Sequence, residues 1–163
     1  MRPLSEDEIR ASFVNSTDAE VDQLELPLEH LLVEWDEIDA LAWRDQRFRQ
    51  RGYLVTIIDD EPVGLVLRAA DSPMSRHRAA ICNLCHTQQP ADQVSLFSAR
   101  RVGRAGERGD SVGTYLCSDL SCQENVRLHA PLAPAEVRAN AAMRVEGLRR
   151  RTRAFVEGVL QLA

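Results

Sequence analysis

Lysine is absent from this chain, and all 20 of its basic residues are arginine. Aromatic residues make up only 5% of it, so a surface for stacking unpaired bases is poorly supplied. No apolar run approaches the ~20 residues of a membrane-spanning helix. The opening Met1-Arg2-Pro3-Leu4 leads into an acidic stretch without an apolar signal segment, and the expected location is cytoplasmic. A basic excess is also lacking: 25 acidic residues give a net charge of −5, against what a general nucleic-acid binder shows. The 4 histidines (His30, His77, His86 and His129) are scattered, and no serine or cysteine nucleophile has an arguable base partner. The glycines of GRAGERG lack the Lys-Ser/Thr of a phosphate loop, so neither an enzyme nor a small-molecule substrate is expected.

What is present is a pattern of 4 cysteines, all of them in close pairs. Cys82 and Cys85 stand in ICNLCHT, and Cys117 and Cys122 in TYLCSDLSC. Two short loops, each returning a thiolate, supply the four corners of one tetrahedral zinc ion. A disulfide framework fits a secreted context, and a redox pair leaves the second couple unexplained. Iron–sulfur clusters take four thiolates too, at tighter and multiple spacings. His86 adjoins Cys85 and reads as a polar neighbour more often than as a ligand. Four thiolates leave no open coordination position, so one structural Zn2+ that folds the chain is expected.

Around the cysteines the chain reads as α+β. Ser5 with Glu8, and Thr17 with Glu20, are capping boxes opening two short helices, with Pro27 as the stop of the second. Trp35, Ile38, Leu41 and Trp43 are spaced as one face of a further helix. YLVTIID (53–59) and PVGLVLR (62–68) form a β-hairpin around Asp60 and Glu61, and residues 69–80 a polar loop. VSLFSAR (94–100) and VGTYLC (112–117) form a second strand pair, with the glycine- and arginine-rich 101–111 as a mobile tip. A helix capped by Ser118 or Asp119 then carries Cys122, where the positive end of its dipole favours a thiolate. Knuckle, hairpin and ligand-bearing helix describe a treble-clef zinc finger, residues 80–130 of a domain expected over 1–132. The remaining 133–163 is a long amphipathic helix with Val137, Ala141, Val145, Leu148, Thr152, Phe155 and Val159 in a stripe. Its arginines (144, 149, 150, 151 and 153) form a basic, solvated face, and the helix docks on its own domain in preference to a coiled-coil partner.

The order CxxC, VSLFSARR, a glycine–arginine tip and SVGTYLCSDLSC resembles the elongation-factor-G-binding family, which includes fusidic-acid-resistance proteins of the FusB type. FVNST at 13–17, WDEIDALAWRD at 35–45 and the hairpin ending in VGLVLR strengthen the resemblance, which covers roughly residues 5–130. It implies a non-enzymatic protein that binds the translocase EF-G and helps it leave a stalled ribosome. It matches Cys82, Cys85, Cys117 and Cys122 to the zinc ligands, and puts Phe97, Arg100, Arg101 and Tyr115 on the partner-binding hairpin, where Arg104 and Arg108 would add bidentate contacts to a partner's carboxylates. The resistance proteins carry a substantial helical bundle ahead of the zinc half, whereas only short helices precede the hairpin here. Fusidic-acid protection is therefore a separate expectation from EF-G binding. The alternative is an RNA-binding zinc module that tracks phosphates with the Arg/Gly segment 100–109.

Overall fold

The computed structural model describes residues 1–70, 75–127 and 134–161, without the side chains of 28, 29 and 134–140. Within these residues the chain forms α1 (Glu6–Ala11), α2 (Asp18–Asp22), β1 (Ala40–Arg44), β2 (Arg51–Ile58) and β3 (Glu61–Ala69). The zinc-finger half follows with β4 (Ala79–Ile81), β5 (Gln88–Pro90), β6 (Val94–Arg100), α3 (Gly103–Glu107), β7 (Ser111–Cys117) and α4 (Cys122–Asn125). α5 (Pro134–Leu160) closes the chain. One antiparallel sheet runs β1-β2-β3-β6-β7, and β4 and β5 form a separate ribbon.

Side-chain alternation divides the sheet into two faces. Leu41 and Trp43 of β1, Tyr53 and Val55 of β2, and Val66 of β3 pack with Leu4, Ile9 and Leu24 of the N-terminal segment. The opposite residues, Ala40, Leu54, Leu65 and Leu67, pack with Phe97, the four cysteines and α5. Among the described residues of that helix Leu148, Phe155, Val156 and Val159 are the buried apolar ones, each contributing roughly 1.5–3 kcal/mol by leaving water. The sheet is thus covered on one face by short N-terminal helices and on the other by the zinc finger and the terminal helix.

Both capping boxes form. Ser5 Oγ accepts from the Glu8 amide at 3.2 Å while Glu8 accepts from the Ser5 amide at 2.8 Å, and Thr17 and Glu20 repeat the exchange. Burial pushes Glu20 up, but the Thr17 amide, Arg68 and Arg100 overcome it and hold the carboxyl below its ordinary range. α2 ends at Asp22 with Gln23 as its cap, ahead of Pro27, which precedes a 3-10 turn at Leu28–Leu32.

Four expectations are corrected. The segment read as a helix from Trp35 to Trp43 is a 3-10 turn at Trp35–Glu37 followed by β1, where Leu41 and Trp43 alternate with Ala40 and Ala42. The first hairpin turns on Asp59 and Asp60, both with positive φ, and Glu61 begins β3. Two left-handed residues match the strand twist, and aspartate tolerates that conformation. The segment between β6 and β7 is a built turn of helix, in which the Arg101 amide donates to Asp110 O and the Asp110 amide to Ala105 O. Gly106 lets the backbone close there, since a Cβ would lie 1.8 Å from Arg101 O. The ligand-bearing helix is shorter than expected, with Ser121 as N-cap and Cys122 as its first residue. Of the other expectations, His129, residues 71–74 of the polar loop and the Val137 side chain lie outside the described residues.

β3 and β6 pair only at Arg68↔Ser98 and Ala69↔Phe97 and then diverge. The N-terminal segment fills the gap. Val14 donates to Gly64 O, and Gly64 to Ser12 O, an approach possible because a Cβ at Gly64 would lie 2.5 Å from Ser12 Oγ. One step further the buried Asn15 carboxamide accepts from the Val66 amide at 2.8 Å and donates to Val66 O and Arg100 O at 3.1 Å. Asn15 acts as a one-residue strand holding the two halves of the sheet together.

Candidate metal centre and its hairpin

β4 delivers Cys82, the chain reverses through Asn83 and Leu84, and Cys85 points back to the same spot before β5 begins. The reversal is held by the His86 amide on Cys82 O and the Cys82 amide on Thr87 O. β7 ends on Cys117, a second reversal runs through Leu120, and α4 opens with Cys122. Both reversals carry a non-glycine residue in the left-handed region, His86 at φ 57° and Leu120 at φ 64°. Each costs about 1–2 kcal/mol, which the surrounding structure must offset. Leu120 is held because its side chain is buried against Gly52, where a Cβ would lie 2.8 Å from Leu120 Cδ1.

All four sulfurs are buried and lie within 4.8 Å of one another. Cys82 Sγ to Cys122 Sγ and Cys85 Sγ to Cys117 Sγ are both 3.6 Å, far from a disulfide bond. Tetrahedral zinc at about 2.3 Å from sulfur requires sulfurs roughly 3.8 Å apart, and the arrangement fits one such ion. His86 is not in the cluster, which among the described residues consists of the four thiols alone. Thiol hydrogen bonds from Cys117 and Cys122 pull Cys85 down and Cys82 to about 7, whereas Cys117 and its neighbours push Cys122 up. Four sulfurs this close ionise together only around a cation. Two amides serve the charged form, Gln89 Nε2 at 3.1 Å and Asn125 Nδ2 at 3.4 Å, both on Cys117 Sγ.

The hairpin beside this centre sorts its side chains by strand parity. Phe97 is 0% exposed, with the Arg44 guanidinium 5.1 Å from its ring centroid, so it is a core residue and cannot anchor a partner. The outward position is Leu96, 39% exposed and directly opposite Tyr115, 43% exposed. The alternation within VSLFSAR carries this signal, since Leu96 and Phe97 necessarily face opposite ways. Arg101 also turns inward: its Nη1 donates to Gly158 O at 2.6 Å, near the end of α5 where carbonyls lack helical partners. Arg100 is exposed and donates to Asn15 O, with Glu20 at 3.8 Å. Arg104 on α3 and Arg108, its C-terminal cap, are both exposed.

The basic face expected on α5 is in part tied down. Arg149 meets Asp39 at 2.7 Å, Arg153 meets Asp59 at 2.9 Å, and Arg151 donates to Leu84 O. Among the described residues no helix is long and apolar enough to cross a membrane.

Knuckle, hairpin and ligand-bearing helix around four clustered thiols define a treble-clef zinc finger, here fused to a β-meander and braced by a terminal helix. The chain belongs to the family described as the FBP C-terminal treble-clef zinc-finger, whose pattern it matches over residues 8–159. No curated protein is similar enough to match it. Among solved structures it is similar to the fusidic acid resistance protein FusC, with a TM-score of 0.56 and 18% sequence identity over 88% of this chain. That likeness is one of fold, and it spans 59% of the FusC chain.

Proposed function

We propose that this protein is a non-catalytic, zinc-held binder of translation elongation factor G that shifts the factor between ribosome-bound and free states. The observation that carries the reading is family membership across nearly the whole chain, joined to the fold shared with a fusidic acid resistance protein. The metal set agrees with this reading, since four thiolates would leave no position at the ion for water or substrate. Cys82, Cys85, Cys117 and Cys122 would hold the ion. A partner of this kind changes the equilibrium only through a preference for one state of EF-G. In this reading residues 1–132 form the binding unit and 133–163 its brace, and fusidic-acid protection is a separate property that binding alone does not imply.

The contact surface we assign is the exposed part of the zinc-finger hairpin. Leu96 and Tyr115 supply an apolar centre, and Arg100, Arg104 and Arg108 supply charge that accelerates encounter with an acidic partner. Phe97 and Arg101 leave the set because both are committed inside the protein.

The test pairs two double variants, Arg104→Glu with Arg108→Glu and Leu96→Ser with Tyr115→Ser, in titrations against EF-G. Each should weaken binding about tenfold or more with zinc content unchanged. Unchanged affinity in both removes the hairpin from the interface. RNA binding that falls steeply with salt, without EF-G binding, would favour the phosphate-tracking alternative.

A further inference from the structure

A second exposed surface lies away from the hairpin, between the 3-10 turns that precede β1 and the ligand-bearing helix α4. It is a groove of about 350 Å³ with Leu32, Val33 and Ile38 among its lining residues. Leu32 and its neighbour Leu31 are 82% and 77% exposed, the most exposed large apolar side chains among the described residues. Isolated apolar residues on a surface need no explanation, but two adjacent leucines, one of them lining an apolar groove, are a feature of contact surfaces.

The rim is acidic. Glu34, Glu37 and Glu124 line the groove and are exposed, and no ion pair forms at any of them among the described residues. The cation at the site, Arg127, is spent on neutral acceptors, Gln123 O, Gln123 Oε1 and Glu37 O. The guanidinium keeps its charge, but three carboxylates stand against that one cation in the lining, so the groove is net negative. Gln123, which follows the ligand Cys122, also accepts from the Asp39 amide and so links α4 to the segment before β1.

We infer that this groove docks a basic protein segment carrying an apolar anchor. The apolar lining takes the anchor and the three carboxylates take flanking lysines or arginines. Nucleic acid is disfavoured, since its phosphates would meet the carboxylates, and an acidic segment is disfavoured for the same reason. This surface is independent of the EF-G reading and distinct from the hairpin.

The probe is a short amphipathic lysine/leucine peptide, compared with a glutamate/leucine peptide and a lysine/serine peptide that lacks anchors. Trp35, next to Glu34, reports by fluorescence, while the other tryptophan, Trp43, is buried at 6% exposure in the core. The lysine/leucine peptide should bind the zinc-loaded protein and the other two should not. Leu31→Ser with Leu32→Ser, and Glu34→Gln with Glu37→Gln and Glu124→Gln, should each weaken it about tenfold. A control neutralising Asp22, Glu61 and Glu107, exposed carboxylates elsewhere, should change it little. No binding, or an equal loss in the control, would overturn the inference. So would a homodimer that Leu32→Ser dissolves, because the occupant would then be a second copy.

Discussion

Arg151 Nε donates to the carbonyl oxygen of Leu84 at 2.6 Å, tying the terminal helix to the loop between the first two thiols. Leu84 is itself buried, and a Cβ at Gly147 would lie 2.7 Å from Arg151 Nη1, so the guanidinium is enclosed from both sides. Burial lowers the Arg151 pKa, with Arg150 adding to it. The helix is thereby part of the metal centre's support.

Arg151→Met keeps the stem and removes the donor. It should cost about 1–2 kcal/mol, the worth of a charge-assisted hydrogen bond in partly buried surroundings, read as a lower urea midpoint. It should also speed zinc transfer to a chromogenic chelator. If helix and knuckle are independent, the chelator rate will not move.

Asn15→Ala would leave the Val66 amide, Val66 O and Arg100 O without their partner where the sheet divides. A loss of roughly 2–3 kcal/mol is expected, since buried groups left unpaired carry their full desolvation cost. Asn15→Asp should be at least as damaging, because a carboxylate would face two carbonyl oxygens. Thermal unfolding of the two variants beside the parent protein checks both.

These two residues mark where the sequence was legible and where it was not. The cysteine pairs announced the metal centre, and the β-branched run 53–68 announced the first hairpin, because both signals are local. Asn15 is joined to Val66 and Arg100, far along the chain, and nothing in FVNST reveals them. Arg151 reads as one more solvated arginine until Leu84 is placed beneath it. The misreading of β1 has a different cause. Trp35, Ile38, Leu41 and Trp43 satisfy a helical spacing, and in so short a stretch apolar periodicity does not separate helix from strand. At the tip, glycines 103, 106 and 109 suggested a loop, whereas Gly106 is there so that a helical turn can close onto Arg101 O.

Metal removal should unfold the finger. Four clustered sulfurs and two left-handed residues are stable together only while a cation links them, and the binding energy of such a site is folding energy. Cys117→Ser should lower zinc stoichiometry and soluble yield together, measured by atomic absorption on the purified protein. Full zinc content in that variant would remove Cys117 from the ligand set.

The pair Asp45–Tyr53 should shape the pH dependence of stability. Tyr53 Oη donates to Asp45 Oδ2 at 2.6 Å, and Asp45 Oδ1 accepts from the Arg47 and Phe48 amides. Burial, then the Asp45 bond, pushes Tyr53 from 10.0 up to about 12. The folded state thus favours the protonated phenol: this contribution is complete below pH 10.0 and is lost as pH rises through about 12. Asp45 runs the other way. Burial pushes it up, but the Tyr53 hydroxyl and the two amides hold it below 3.8, so its contribution is present above that pH and fades as acid protonates the folded form. Tyr53→Phe should flatten the alkaline fall in Tm measured across pH.

The central claim is that a zinc-held hairpin recognises elongation factor G. Its most direct test is calorimetry of the zinc-loaded protein with EF-G from the same organism, at low and at physiological salt. A saturable one-to-one complex, weaker at the higher salt because arginines contribute to it, is the result predicted. No heat and no co-elution, with zinc content intact, would contradict it and leave a family fold with a different partner.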